Sequence, residues 1–289
     1  MGVTALARGT PRILGLRDDL KGLLPVRLRR LLRRTRLAVW SLADRLSRGR
    51  LAPGYGALIG EGDLDQVGRE FLGHFRDLGG LEPTDRVLDI GCGVGRMAGP
   101  LTTFLSGGNY HGFDVVRPTI ESCRRRFASF PEFHFDHVDV YNGKYNPKGK
   151  VPPSEFRFPY MDASFDFAFA ASVFTHMLRE DIERYLHETA RVLRPGGRLL
   201  ATWFVMTPEA AGRVAERESD VDFPAKDGDV WTSDPREAEA AIAFAPATLR
   251  ALYDASGLEL EAPIRYGRWS GAADGLSYQD IVLARMRDR

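Results

Sequence analysis

The sequence is short of sulfur, of metal-ligand clusters and of long apolar runs. Two cysteines occur in 289 residues, Cys92 and Cys123. Neither has a CxxC partner, so a structural zinc site or a disulfide framework is not expected, and both suit a reducing cytosol. The histidines and acids form no recognised ligand spacing, so no metal is expected. No stretch approaches the roughly 18 consecutive apolar residues of a membrane span. The longest apolar runs, such as 167–173, are strand-sized. Arg8, Arg12 and Arg17 interrupt every candidate signal-peptide core. A myristoylation signal needs Ser or Thr where this chain has Leu6. The expected location is therefore cytoplasmic, and no repeat or low-complexity tract complicates the reading.

The net charge of +1 conceals an asymmetry. Residues 1–50 hold 13 Lys/Arg against three Asp/Glu, an excess of ten, so the rest of the chain carries −9. Within this arm, residues 25–48 place Leu28, Leu31, Leu32, Val39, Leu42 and Leu46 at helical spacing, with arginines on most other faces. An arginine-rich amphipathic helix can lie on an anionic membrane, pack on an acidic surface or bind nucleic acid. The apolar stripe favours the membrane or self-packing, and the acidic body argues against a phosphate track. Residues 51–56 read as a linker.

From residue 65 onward the chain alternates helices and strands. A helix is expected over 65–77, a strand over 86–90, a helix over 96–105, a strand over 110–115, a helix over 118–130, and a strand over 133–138 ending at Asp139. A strand over 165–172, a helix over 181–193 stopped by Arg194-Pro195-Gly196-Gly197, and a strand over 198–204 follow. Residues 206–245 lack strong periodicity. A helix over 247–256 and strands over 258–268 and 277–285 close the chain. This predicts an α/β fold, a Rossmann-like doubly wound sheet that is mostly parallel with an antiparallel final strand. The expected division is an arm, 1–50, and one domain, 51–289, with its core at 80–205, a substrate or lid region at 206–245 and closing strands at 258–285.

The strand at 86–90 runs into Asp89-Ile90-Gly91-Cys92-Gly93-Val94-Gly95. Three glycines let the backbone pass close beneath a ligand, and the helix that follows offers free amides to a carboxylate. The dinucleotide fingerprint would need its third glycine at position 96, which is Arg96. The D-x-G-x-G-x-G spacing instead resembles motif I of the class I S-adenosylmethionine (SAM) dependent methyltransferases. Tyr110–Asp114, 165–177 and 192–198 fall where that family places its later motifs, and the resemblance covers about residues 80–205. It implies SAM as cofactor, bound by Asp89, Gly91, Cys92, Gly93, Gly95, Asp114 and Asp139. Asp114 would hold the ribose hydroxyls, Asp139 would lie near the adenine amino group, and Asp89 could equally serve to orient the loop.

His176 follows the fourth strand and should face the acceptor, where an imidazole can take a hydroxyl proton; packing or capping of the next helix is the plainer alternative. The polar insertion 141–149 and the segment 60–63 sit on the same rim, and an ordinary solvated loop explains the first equally well. Trp203, Trp231, Trp269, Tyr266 and Tyr278 could line an acceptor pocket or simply be core. The function expected is methyl transfer to a small-molecule, glycan or lipid-precursor acceptor, most readily at oxygen. RNA methylation and a non-catalytic SAM-binding or scaffold protein are the alternatives. The chain lacks the aromatic Pro-Pro-Tyr motif after strand four, reading Ala171-Ser172-Val173-Phe174 instead.

Overall fold

The structure is a computed structural model that describes residues 63–287 and Thr35. Apart from Thr35, the basic arm, the linker and residues 60–62 lie outside the described residues. Helix α1 (Leu64–Asp77) begins on Asp63, whose carboxylate accepts the N–H groups of Asp65 at 2.9 Å and Gln66 at 3.3 Å. That cap satisfies two donors that the first helical turn would leave open. Strands and helices then alternate: β1 (Arg86–Ile90), α2 (Ala98–Phe104), β2 (Asn109–Asp114), α3 (Arg117–Arg126), β3 (Phe133–His137), β4 (Phe165–Ala170), α4 (Arg179–Val192) and β5 (Leu193–Trp203). The chain continues through α5 (Pro208–Ala215), β6 (Ala225–Asp227), β7 (Val230–Thr232), β8 (Ile242–Phe244), α6 (Pro246–Ser256), β9 (Leu258–Arg265) and β10 (Asp280–Met286).

Seven strands form one sheet in the order β3-β2-β1-β4-β5-β10-β9, parallel except for β10, which is antiparallel to both β5 and β9. Side chains alternate across it. Val87, Tyr110, Phe167 and Phe169 meet α1, α2 and α3 on one face; Leu88, Ile90, Phe113 and Ala168 meet α4 and α6 on the other. Phe75 of α1 stacks on Phe169 with ring centroids 4.3 Å apart. β1 pairs with β2 on one side and β4 on the other, so the chain reverses direction across the sheet there and opens a crevice at the carboxyl ends of those strands.

Several boundaries differ from the sequence expectation. The Pro195-Gly196-Gly197 turn does not precede the fifth strand but lies inside it. Leu193 pairs with Phe165 and Arg198 with Phe167, so the extra residues bulge out, with Gly196 at φ +71°. The helix expected from 96 starts at Ala98, and the one expected to reach 130 stops at Arg126. The third strand ends at His137, leaving Asp139 two residues beyond it. The helix expected from 181 starts at Arg179.

The segment 206–245, which showed no period, holds α5 and a second sheet of order β6-β7-β8. Its strands have three residues each, too short for a period-two pattern to register. This small sheet is built onto the carboxyl end of β5: Phe244 donates its N–H to Phe204 at 3.0 Å and Met206 returns one to Phe244 at 2.9 Å. It shares a core of Phe204, Met206, Phe223, Ala243 and Trp269 with the final loop. Buried Asp280 ties the pieces together, accepting from Val205 N and Gly267 N, both at 2.6 Å, and from Trp269 Nε1 at 2.9 Å. The result is a cap standing over the rim where the crevice opens.

Candidate active site

The glycine loop is held from below by the end of β2. Gly91 and Cys92 both donate their N–H groups to the Phe113 carbonyl, at 2.9 and 3.0 Å. Gly91, Gly93 and Gly95 have φ values of +77°, +54° and +74°, where an L side chain is strained. A Cβ on Gly91 would lie 2.6 Å from Val173 Cγ2, and one on Gly95 would lie 2.8 Å from Phe127 Cε2. The loop therefore needs glycine for its own path and for its packing on Val173 and Phe127, and it forms a tight cradle at the carboxyl end of β1. Gly112 was not singled out from the sequence. A Cβ there would sit 2.7 Å from the Tyr110 hydroxyl and 2.8 Å from Cys92 Cβ, so its absence lets the loop settle on β2. A lone glycine inside a strand is the signal that could have revealed it.

Asp114 closes β2 with its carboxylate aimed back at the loop. One oxygen accepts Gly93 N at 2.9 Å and the other accepts Val116 N at 2.8 Å. Burial pushes its carboxyl up, while the N–H groups of Val116, Gly93 and Val115 pull it down. Asp89 is buried beneath the loop and accepts the Tyr110 hydroxyl at 2.6 Å. Arg96 lies within electrostatic reach of both Asp89 and Tyr145, and burial lowers its pKa. The Cys92 thiol is buried and pushed up by that burial, which leaves it a packing group and not a nucleophile. Asp139 accepts from Asn146 Nδ2 at 3.4 Å, which ties the start of the rim insertion to its far side.

Burial raises the Asp89 carboxyl to about 7, against an ordinary value of 3.8. Between roughly pH 4 and pH 7 the folded protein therefore holds a proton that the unfolded chain releases, and stability falls as pH rises through that window. Replacing Asp89 with Asn should remove up to one proton from this dependence, about 1.4 kcal/mol per pH unit. Urea unfolding at a series of pH values measures it, and an identical slope in wild type and variant would show that Asp89 is ionised throughout.

His176 sits at the end of a 3-10 turn, Phe174–His176, just beyond β4. Its Nδ1 lies 3.1 Å from the backbone carbonyl oxygen of Glu239, in the cap. A carbonyl can only accept, so Nδ1 carries the hydrogen and, in the neutral ring, Nε2 carries the lone pair. Tyr145, from the rim insertion, meets the imidazole edge-on with centroids 6.0 Å apart, and the Lys144 ammonium lies 5.1 Å from the Tyr145 ring centre. Insertion, cap and 3-10 turn thus converge on one histidine. The cap's part was illegible in the sequence, because the contact is made by a main-chain oxygen and leaves no side-chain signature.

The other expected residues scatter. Asp63 caps α1. His111 and His134 pack against each other at 4.6 Å on β2 and β3. Trp203 and Trp269 are fully buried core, Trp231 pairs with Lys226 at 4.7 Å, and Tyr266 and Tyr278 are exposed. Among the described residues no group of three or more His, Cys, Asp or Glu could hold a metal, and no helix is long and apolar enough to cross a membrane.

Residues 88–199 match the family model of the methyltransferase domain. Over those residues the chain carries a methyltransferase domain. Among curated proteins it is 33% identical over 139 residues to phthiotriol/phenolphthiotriol dimycocerosates methyltransferase 1 of Mycobacterium ulcerans, covering 47% of this chain and 42% of that one. It is also 33% identical over 141 residues to 27-O-demethylrifamycin SV methyltransferase of Amycolatopsis mediterranei, covering 48% and 45%. The chain thus spans less than half the length of these relatives. Among solved structures, the 1,6-didemethyltoxoflavin-N1-methyltransferase of Burkholderia thailandensis shares the fold, with a TM-score of 0.50 at 19% identity over 78% of this chain and 79% of the other.

Proposed function

We propose that the whole chain transfers a methyl group from SAM to a hydroxyl oxygen of a small-molecule, glycan or lipid-precursor acceptor, with His176 as the base. The observation that carries this reading is the 3.1 Å contact between His176 Nδ1 and the Glu239 carbonyl, which puts the hydrogen on Nδ1 and leaves Nε2 the basic nitrogen of the neutral ring. The tight glycine turn at the end of β1 would let the cofactor approach the backbone closely, and Asp114 is the carboxylate that would take its ribose hydroxyls. Gly91, Gly93 and Gly95 line the cradle, with Asp89 and Cys92 beneath it and Asp139 farther along the rim. When bound, SAM supplies an electrophilic methyl carbon and a thioether leaving group. The protein's own work is to hold the acceptor hydroxyl in line, to exclude water beneath the cap and to take the proton on Nε2. Oxygen as the attacking atom is supported by the relatives' names, one of an O-demethylated acceptor and the other of a triol.

The test is SAM turnover against a set of hydroxylated acceptors that includes 27-O-demethylrifamycin SV, read as the mass gain of one methyl. Bulk RNA serves as a control. Methyl incorporation into RNA alone would move the chain to the nucleic-acid-modifying class. SAM binding without any transfer would make it a binding protein.

We further propose that residues 1–50 are an arm separate from the domain at 51–289, in which 206–245 is the lid and 258–285 the closing strands, and that residues 25–48 bring a cytoplasmic enzyme to an anionic membrane face. The support is the excess of ten positive charges together with the apolar stripe. Each basic residue near an anionic surface contributes about 1 kcal/mol, screened by salt. Liposome flotation should require anionic lipid, weaken with salt and vanish on deletion of residues 1–50. Equal flotation of the truncated chain would leave self-packing as the arm's role, and deletion should then lower the melting temperature.

A further inference from the structure

The half of the rim formed by β4, β5 and β10 carries a closed ring of hydrogen bonds joining the ends of three strands. Ser172, just past β4, donates its N–H to Thr202 Oγ1 at 2.7 Å. Thr202, fully buried near the end of β5, gives its own hydroxyl hydrogen to Gln279 Oε1 at 2.6 Å. That bond fixes which way the amide points, so Gln279 Nε2 faces Ser172 and donates to its Oγ at 3.1 Å. Each atom's role is dictated by the one before it. The sequence of donors runs one way round the ring and ends at the Ser172 hydroxyl hydrogen, which the ring does not use.

The place of this hydrogen is informative. Ser172 has φ +62°, a region a serine enters only at a cost, and strained residues of this kind concentrate at functional sites. Glycine would hold that φ without strain, so what serine adds is its hydroxyl. The next residue, Val173, lies against Gly91 of the cofactor loop, while Thr202 and Gln279 belong to the β5 and β10 side of the crevice. Ser172 is only half-buried, whereas Thr202 beneath it has no exposure. A partner for the Ser172 hydrogen can therefore arrive from the crevice.

We propose that Ser172 Oγ–H donates a hydrogen bond to an oxygen atom of the bound reactants, with Thr202 and Gln279 as the residues that position it. The source assigned here is the methyl acceptor, because two of the three ring members stand at the ends of β5 and β10, on the side of β4 away from the glycine loop. The other source of the same chemistry is the cofactor's carboxylate. The acceptor class that fits carries a lone-pair oxygen, such as a carbonyl, an ether or a second hydroxyl, close to the hydroxyl that is methylated. The assignment rests on the methyl-transfer reading above.

Ser172→Ala, Ser172→Gly and Gln279→Glu test it, each titrated with S-adenosylhomocysteine by calorimetry and assayed for KM and kcat with an acceptor that the wild type methylates. Gln279→Glu replaces a donor with an acceptor, so the Ser172 hydrogen turns inward onto the new carboxylate while Ser172 itself stays. Both Ser172→Ala and Gln279→Glu should raise the acceptor KM about tenfold, the size of one hydrogen bond, and leave S-adenosylhomocysteine affinity unchanged. Ser172→Gly should show the same KM rise with no fall in melting temperature, which separates the hydroxyl's role from a structural one. A tenfold loss of S-adenosylhomocysteine affinity in Ser172→Ala would assign the oxygen to the cofactor carboxylate. Unchanged KM and unchanged affinity in folded Ser172→Ala would overturn the proposal. If the wild type binds S-adenosylhomocysteine but methylates none of the acceptors, the methyl-transfer reading fails by itself. The assignment of Ser172 to an acceptor falls with it, and a tenfold loss of S-adenosylhomocysteine affinity in Ser172→Ala would then assign the hydrogen to the cofactor carboxylate.

Discussion

Replacing His176 with alanine is expected to lower turnover by about 10²–10⁴-fold while S-adenosylhomocysteine affinity stays at the wild-type level. The size follows from what the side chain offers. With Nδ1 committed to the Glu239 carbonyl at 3.1 Å, the ring presents a lone pair in fixed orientation, and alanine removes it without disturbing the glycine loop. The acceptor hydroxyl would then have to give its proton to water. His176→Gln makes the companion variant, since it keeps polarity near the Glu239 carbonyl but supplies no base; it should be nearly as slow as His176→Ala. Steady-state kinetics at saturating acceptor measures both. Unchanged turnover would return His176 to packing between the 3-10 turn and the cap.

The second large effect concerns the cofactor. Asp114→Ala should weaken S-adenosylhomocysteine binding about a hundredfold or more. A charge-assisted hydrogen bond contributes about 1.5–3 kcal/mol, and tenfold in affinity is about 1.4 kcal/mol. Asp114 does two things at once. It would take the ribose hydroxyls, and it already accepts the N–H groups of Gly93 and Val116, so its loss also releases the loop that forms the cradle. Asp114→Asn, which keeps the shape and one acceptor oxygen, should lose less. Calorimetry on folded variants decides the matter, and wild-type affinity in Asp114→Ala would remove Asp114 from the site.

The glycine loop and the carboxylate that braces it could be read from the sequence because their constraints are local. Glycines at positive φ, a carboxylate closing a strand and a helix following the turn are all written within a few residues of one another. The sheet was legible for the same reason, since β1, β2 and β4 are long enough to declare their period. The far side of the rim, around His176 and Ser172, was not, because it is made by contacts between distant segments. Glu239 acts through its main chain, so any residue there would leave the same trace. Ser172, Thr202 and Gln279 are unremarkable polar residues one by one, and only the pairing of β5 with β10 brings them together. The bulge at Arg194–Gly197 was misplaced because a Pro-Gly-Gly run reads as a helix stop whether or not a strand has already begun.

The cap's grip on His176 has a practical consequence for anyone who would redesign the acceptor preference proposed for this protein. Acceptor preference is naturally sought in the lid, and the three-stranded sheet looks like a part that can be exchanged whole. It is not free to vary in that way, because the imidazole's orientation is borrowed from a peptide oxygen within it. A transplanted lid would need no particular side chain at position 239. It would need the same backbone path, and a graft that shifted that path by an ångström or so would also turn the imidazole that is proposed as the base.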